Sequence, residues 1–182
     1  MTTPQQLVRD FELIIDAACR KLELRLDTPV ILVGMSRGAG LSVVAAGLAA
    51  LRPRLTGVIA VALTKEEEHV VHYRQKKAGQ KPGAPERELV EIKTYEYLPL
   101  LAPVPVMVIQ STRDGYVPAS SARNLFGEDT ELRRLVPVES ANHSFGGGTD
   151  ILFRETEAAL EWIQQVSHRE PAGAPSASPA LR

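Results

Sequence analysis

The feature that most constrains this chain is Gly34-Met35-Ser36-Arg37-Gly38, set between the apolar run Val30–Val33 and a helical pattern carried by Leu41, Val44, Ala45 and Leu48. A β-branched run with almost no polar residue suits a strand covered on both faces, as in a parallel sheet. A serine at its end is thrown out on a sharp turn at the C-terminal edge of that sheet. Glycines two residues either side let neighbouring backbone pass close, and the helix that follows can stabilise negative charge near the serine. The alternation then repeats: Val58–Leu63, Val104–Gln110 and Leu132–Val138 read as strands and Ser120–Phe126 as a short helix. Ile151, Ala158, Ala159, Trp162, Ile163 and Val166 outline a closing helix. The order predicts an α/β fold, a mainly parallel sheet of about four strands flanked by helices. Right-handed crossovers place the connecting helices on one face and leave the first and last helices for the other.

Ahead of this pattern, Leu7, Phe11, Ile14, Ile15, Ala18 and Leu22 recur at spacings of three and four, one face of an amphipathic helix. Thr3, Pro4 and Gln6 form its start signal, and Asp27-Thr28-Pro29 breaks it. Cys19 lies beside that face and reads as a small buried hydrophobe. From Thr64 to about Glu96 the composition turns charged, then rich in Gly and Pro between Lys76 and Pro85. That stretch reads as a surface excursion with a flexible middle, helical at both ends. Residues 1–167 are expected to form one domain, and the Pro-, Ala- and Ser-rich stretch from His168 onward a disordered tail.

Charge and composition exclude several classes. Twenty-one Lys and Arg against 22 Asp and Glu leave a net charge of -1, without the clustered basic surface that nucleic acid requires. A single cysteine rules out an internal disulfide framework and any multi-thiolate metal site. No apolar run approaches the roughly 18 residues of a membrane span. The first residues lack the order of a secretory signal, so a cytoplasmic protein is expected.

Two further residues share the setting of Ser36. Asp114 follows a strand, in Ser111-Thr112-Arg113-Asp114-Gly115-Tyr116-Val117-Pro118, and His143 follows the next, in Ala141-Asn142-His143-Ser144-Phe145-Gly146. All three can converge on one edge of the sheet. Each also has a plainer reading: a tight bend or anion site for Ser36, a turn former for Asp114, a backbone-bonded loop histidine for His143. Glu66, Glu67 and Glu68 offer an alternative acid or a solvated face, and His69 and His72, with no third ligand at metal spacing, read as a surface pair in preference to metal ligands. Arg37 and Arg113 either contact an anionic substrate or point into solvent, and Tyr116 lines the entrance or packs on its loop.

In the chain order Ser, Asp, His, these motifs resemble the α/β-hydrolase superfamily from Val30 to about Val166. Gly34-Met35-Ser36-Arg37-Gly38 matches its nucleophile elbow. The segment around Asp114, with Val-Pro shortly after, resembles the acid loop of esterase- and dienelactone-hydrolase-like members. His143 in Asn-His-Ser-Phe-Gly-Gly resembles the histidine loop, with a narrower likeness to VirJ-like bacterial hydrolases. The resemblance implies Ser36 as nucleophile, His143 as general base and then acid, Asp114 as its orienting carboxylate, and the backbone N–H of Arg37 as an oxyanion donor. It implies hydrolysis of a small-molecule ester or thioester through an acyl-enzyme, without cofactor or metal. The excursion would be a lid, with Leu89, Val90, Tyr95 and Tyr97 as pocket residues.

The likeness is to the C-terminal half of that fold. The complete fold has strands before the nucleophile strand and a loop among them that supplies a second oxyanion donor, whereas here the residues ahead of Val30 read as a helix. One such donor is worth about 3 kcal/mol of transition-state stabilisation. The strand Val30–Val33 would then be an apolar sheet edge, which fits a truncated reading frame, a partner chain that completes the sheet, or a reduced domain that pairs with a second copy. The alternative to an enzyme is a weak or inactive fragment that serves as an interaction module.

Overall fold

A computed structural model describes residues 4–74 and 86–167. Four parallel strands form the main sheet: β1 (Val30–Met35), β2 (Leu55–Val61), β5 (Val106–Ser111) and β6 (Arg133–Val138), in the order β1-β2-β5-β6. Each strand therefore adds on the same side as the chain advances, and their C-terminal ends lie along one edge. The β-branched runs of β2 and β5 form the two central strands, covered on both faces: every residue of β5 and all but Thr56 of β2 are buried.

Helices α1 (Pro4–Lys21), α2 (Arg37–Gly47) and α3 (Ala119–Phe126) pack on one face with Val58, Ala60, Val106 and Val108 of the sheet. Helix α4 (Thr149–Ser167) covers the other face over Ile59, Val61, Met107 and Ile109. The first helix thus joins the connecting helices and does not share a face with the last, contrary to the sequence expectation. Its buried stripe explains why. Leu7, Val8, Ile15 and Cys19 meet the small residues of α2, whereas Ile14 and Leu22 are exposed. An Asp16–Arg54 ion pair at 3.0 Å ties the same helix to the entrance of β2. On the α4 side, the edge strand β1 leaves Val33 56% and Met35 46% exposed.

The excursion after β2 also differs from expectation. Its described ends are not helical but form an antiparallel pair, β3 (Glu66–Arg74) and β4 (Glu86–Lys93). Val70-Val71 and Val90 carry the β-branched content that the charged residues mask when composition alone is read. The register sets Glu66 opposite Lys93 and Arg74 opposite Glu86, unlike charges at each end of the ladder. The Gly- and Pro-rich middle, residues 75–85, and the tail from residue 168 lie outside the described residues, as does Thr3 of the helix start signal.

A 3-10 helix, Thr94–Leu101, returns the chain to β5 and buries Tyr95, Leu98 and Leu101. Thr94 anchors the base of the hairpin, its N–H donating to Lys65 O at 3.0 Å and its hydroxyl to Thr64 O. The pair therefore springs from the C-terminal edge of the sheet.

Candidate active site

Ser36 follows β1 directly and precedes the first residue of α2. Its φ of 55° and ψ of -121° lie where side-chain-bearing residues rarely sit, a conformation that costs on the order of 1–3 kcal/mol. Hydrogen bonds on both sides hold it there. Its N–H donates to Val61 O at 2.8 Å, and its carbonyl accepts from Ala39 N at 2.9 Å and Gly40 N at 3.2 Å. The two flanking glycines are not equivalent. A Cβ on Gly34 would fall 2.3 Å from Gly38 O, so only glycine fits, whereas a Cβ on Gly38 would meet nothing within 4 Å. The expected close approach is thus required at Gly34, and Gly38 contributes its backbone carbonyl to it.

Asp114 sits in the loop after β5 and is 1% exposed. Its Oδ1 accepts from the N–H groups of Tyr116 at 2.7 Å and Val117 at 3.1 Å, an Asx turn that closes the loop on the carboxylate. Its Oδ2 lies 2.7 Å from His143 Nδ1, and His143 Nε2 lies 2.8 Å from Ser36 Oγ. The three residues singled out in the sequence are therefore brought together in one hydrogen-bonded chain at the strand ends. A carboxylate only accepts, so Nδ1 carries the proton and Nε2 is left as the acceptor for the serine hydroxyl.

The histidine loop is built from its own residues. Asn142 Oδ1 accepts from Ser144 N and Gly146 N, each at 3.0 Å. Phe145, at φ 58°, is fully buried under α4. Ser140 Oγ to Ser111 Oγ at 2.7 Å, and Thr112 N to Val138 O at 2.9 Å, join the two loops at their bases.

Other candidates fall elsewhere. Arg113 pairs with Glu139 at 2.9 Å, a bridge between the two loops. Arg37 is exposed beside Ser36. Tyr116, 76% exposed, sets its ring edge-on to His143 with centroids 4.8 Å apart, so it lies over the site. Tyr95 is no pocket residue. It is buried in the core, and burial together with the charge of Asp114 pushes its hydroxyl well above the usual tyrosine range. Tyr97 packs against Gly47, where a Cβ would come 2.9 Å from its ring.

The side chains of Glu66, Glu67, Glu68, His69, His72, Leu89 and Val90 lie outside the described residues. Among those described, no group of three or more His, Cys, Asp or Glu is placed to hold a metal ion, and no helix is long and apolar enough to cross a membrane.

Sequence reading passed over Gln110, Ser111, Ser140, Asn142 and Phe145, on which the loops depend. Gln110 carried a signal, since a fully buried strand that ends on an amide must provide it with partners. Its Nε2 donates to Asp114 Oδ2 at 3.0 Å and to Val117 O at 2.6 Å.

No family model matches the sequence, and no curated protein matches it. Solved structures do match. The esterase domain of a Rhodothermus marinus protein is 22% identical at a TM-score of 0.52, with 81% of this chain and 66% of that one covered. Est1E from Butyrivibrio proteoclasticus is 15% identical at 0.58, covering 90% and 72%. A Paleococcus ferrophilus monoacylglycerol lipase is 16% identical at 0.51, covering 89% and 76%. The fold is that of the α/β-hydrolases. The chain spans just under two thirds of the Rhodothermus domain and about three quarters of the other two.

Proposed function

We propose that the protein is a serine hydrolase that cleaves a carboxylic ester or thioester through Ser36, His143 and Asp114. The observation that carries this reading is the placement of one imidazole between a strained turn serine at 2.8 Å and a buried carboxylate at 2.7 Å. A serine hydroxyl is a poor nucleophile until a base takes its proton. In this mechanism His143 Nε2 takes that proton as Ser36 Oγ bonds to the substrate carbonyl carbon. Asp114 holds the imidazole in the Nδ1–H tautomer and offsets its positive charge. His143 then protonates the departing alcohol or thiol, leaving an acyl group on Ser36. Water, activated by the same imidazole, attacks the acyl carbon and releases the acid and the free serine. The N–H of Arg37 is assigned to the developing oxyanion, where the N-terminus of α2 adds its dipole. The structural neighbours support the reading through their printed names, an esterase domain and a lipase among them.

Hydrolysis of a panel of p-nitrophenyl esters and acyl thioesters by wild type and Ser36→Ala tests it. Turnover that disappears with the serine hydroxyl is expected. A folded wild type inert across the panel, or a rate unchanged in Ser36→Ala, counts against it.

The rival reading is a fragment that acts as an interaction module or as one half of a larger assembly. It is favoured by the exposure of Val33 and Met35 on the open edge strand. Sedimentation at micromolar concentration separates the two: association through that edge supports the rival, and one clean monomeric species removes its basis.

A further inference from the structure

Gln110 is fully buried in β5, an interior strand of the sheet. An amide withdrawn from water destabilises the fold unless it is hydrogen-bonded. This one spends both N–H groups on the acid loop, one on Asp114 Oδ2 and one on Val117 O, while its Oε1 is buried with no partner. Both of its neighbours are acceptors. The amide must therefore present its NH₂, and the unmatched Oε1 is the cost of delivering two donors. The bond to Val117 O ties to β5 the same residue whose N–H takes part in the Asx turn. The bond to Oδ2 falls on the same oxygen that His143 Nδ1 engages at 2.7 Å.

Taking the triad reading as its premise, we propose that Gln110 is a positioning residue: it fixes the rotation of the Asp114 carboxylate and, by sharing Oδ2 with His143, moderates the pull of that carboxylate on the imidazole. Each donor on a carboxylate oxygen draws off part of its charge, so removing Gln110 strengthens the grip of Asp114 on the protonated imidazole. Among the described residues, the titratable and charged groups near this pair include Tyr95, buried from the 3-10 helix and kept neutral by burial and the Asp114 charge, Tyr116, whose ring meets His143, and Arg37, exposed beside Ser36. The exposed Arg113–Glu139 bridge spans the loop bases.

The test is Gln110→Met, matched in length and without a donor, made in wild type and in Asp114→Asn. Two readouts are used, the ring-proton NMR titration of His143 and kcat with KM on an ester substrate. In the wild-type background the titration of His143 should move to higher pH. There kcat should fall about tenfold, the worth of one such hydrogen bond, with KM nearly unchanged. In the Asp114→Asn background both effects should vanish, because Gln110 acts through that carboxylate. An unmoved titration, or an equal loss in both backgrounds, overturns the proposal. The ring titration is readable without turnover. An inert wild type whose titration still moves therefore sinks the hydrolase reading and leaves this one standing. Where Gln110→Met does not fold, Gln110→Leu removes the same two donors in a more compact apolar side chain. Its His143 titration must rise more than in the Asp114→Asn background, and equal shifts overturn the proposal.

Discussion

Gly34 passes so close to Gly38 that a Cβ on the first would lie 2.3 Å from the carbonyl oxygen of the second. That approach lets the chain reverse from β1 into α2 within one residue and pushes Ser36 into its left-handed conformation. The obstruction is backbone, which cannot swing aside as the end of a side chain can.

Gly34→Ala is therefore expected to destabilise the fold by on the order of 1–3 kcal/mol and to misplace the Ser36 hydroxyl. Gly38→Ala, whose Cβ meets nothing within 4 Å, should fold with nearly wild-type stability. Urea unfolding of the two variants side by side measures the difference.

Asp114→Asn keeps the shape of the side chain but replaces an acceptor-only group with one that donates. His143 then loses its preference for the Nδ1–H tautomer, and Nε2 no longer waits as an acceptor for Ser36. In comparable triads this exchange lowers kcat by roughly 10⁴. A loss of about that size in kcat, with the protein still folded by circular dichroism, is the expected outcome.

Phe145 is fully buried two residues beyond His143 and plugs the histidine loop into the core beneath α4. Phe145→Ala should cost about 3–5 kcal/mol through the cavity it leaves. Because the same residue sets the depth of the loop, activity should fall well below the transition temperature. Thermal unfolding and rate, measured on one preparation, check both effects.

Tyr95 gives a pH dependence at the alkaline end. Burial, and next to it the charge of Asp114, raise the affinity of its hydroxyl for the proton in the folded state above the ordinary value near 10. The unfolded chain therefore loses this proton first. The stability that Tyr95 contributes is whole below about pH 10 and is lost as pH climbs towards the folded-state value. Tyr95→Phe should flatten that decline, as melting temperatures taken from about pH 8 to about pH 11 would show.

Much of the parallel sheet was legible because its strands are β-branched runs that end at punctuating residues. Val30–Val33 stops at Gly34, and the run from Val104 stops at the polar segment around Asp114. Ser36, Asp114 and His143 stood out for the same reason, each at the end of such a run. The side on which α1 packs was hidden, because its apolar residues span more than one stripe. Ile14 belongs to the pattern yet is exposed, while Cys19 lies beside it and is buried. The pairing of β3 with β4 was masked by glutamates and lysines that suit an exposed hairpin as well as a helix. Gln110 was read as a strand end because its partners, Asp114 and Val117, become neighbours only once the loop has closed.

The most direct test of the central claim is labelling of the folded protein by a fluorophosphonate, which reacts only with a serine whose proton has a base to receive it. Wild type should label covalently at Ser36, and both Ser36→Ala and His143→Ala should lose the label. Labelling that survives Ser36→Ala, or a folded wild type that never labels, would contradict an assembled nucleophile and base.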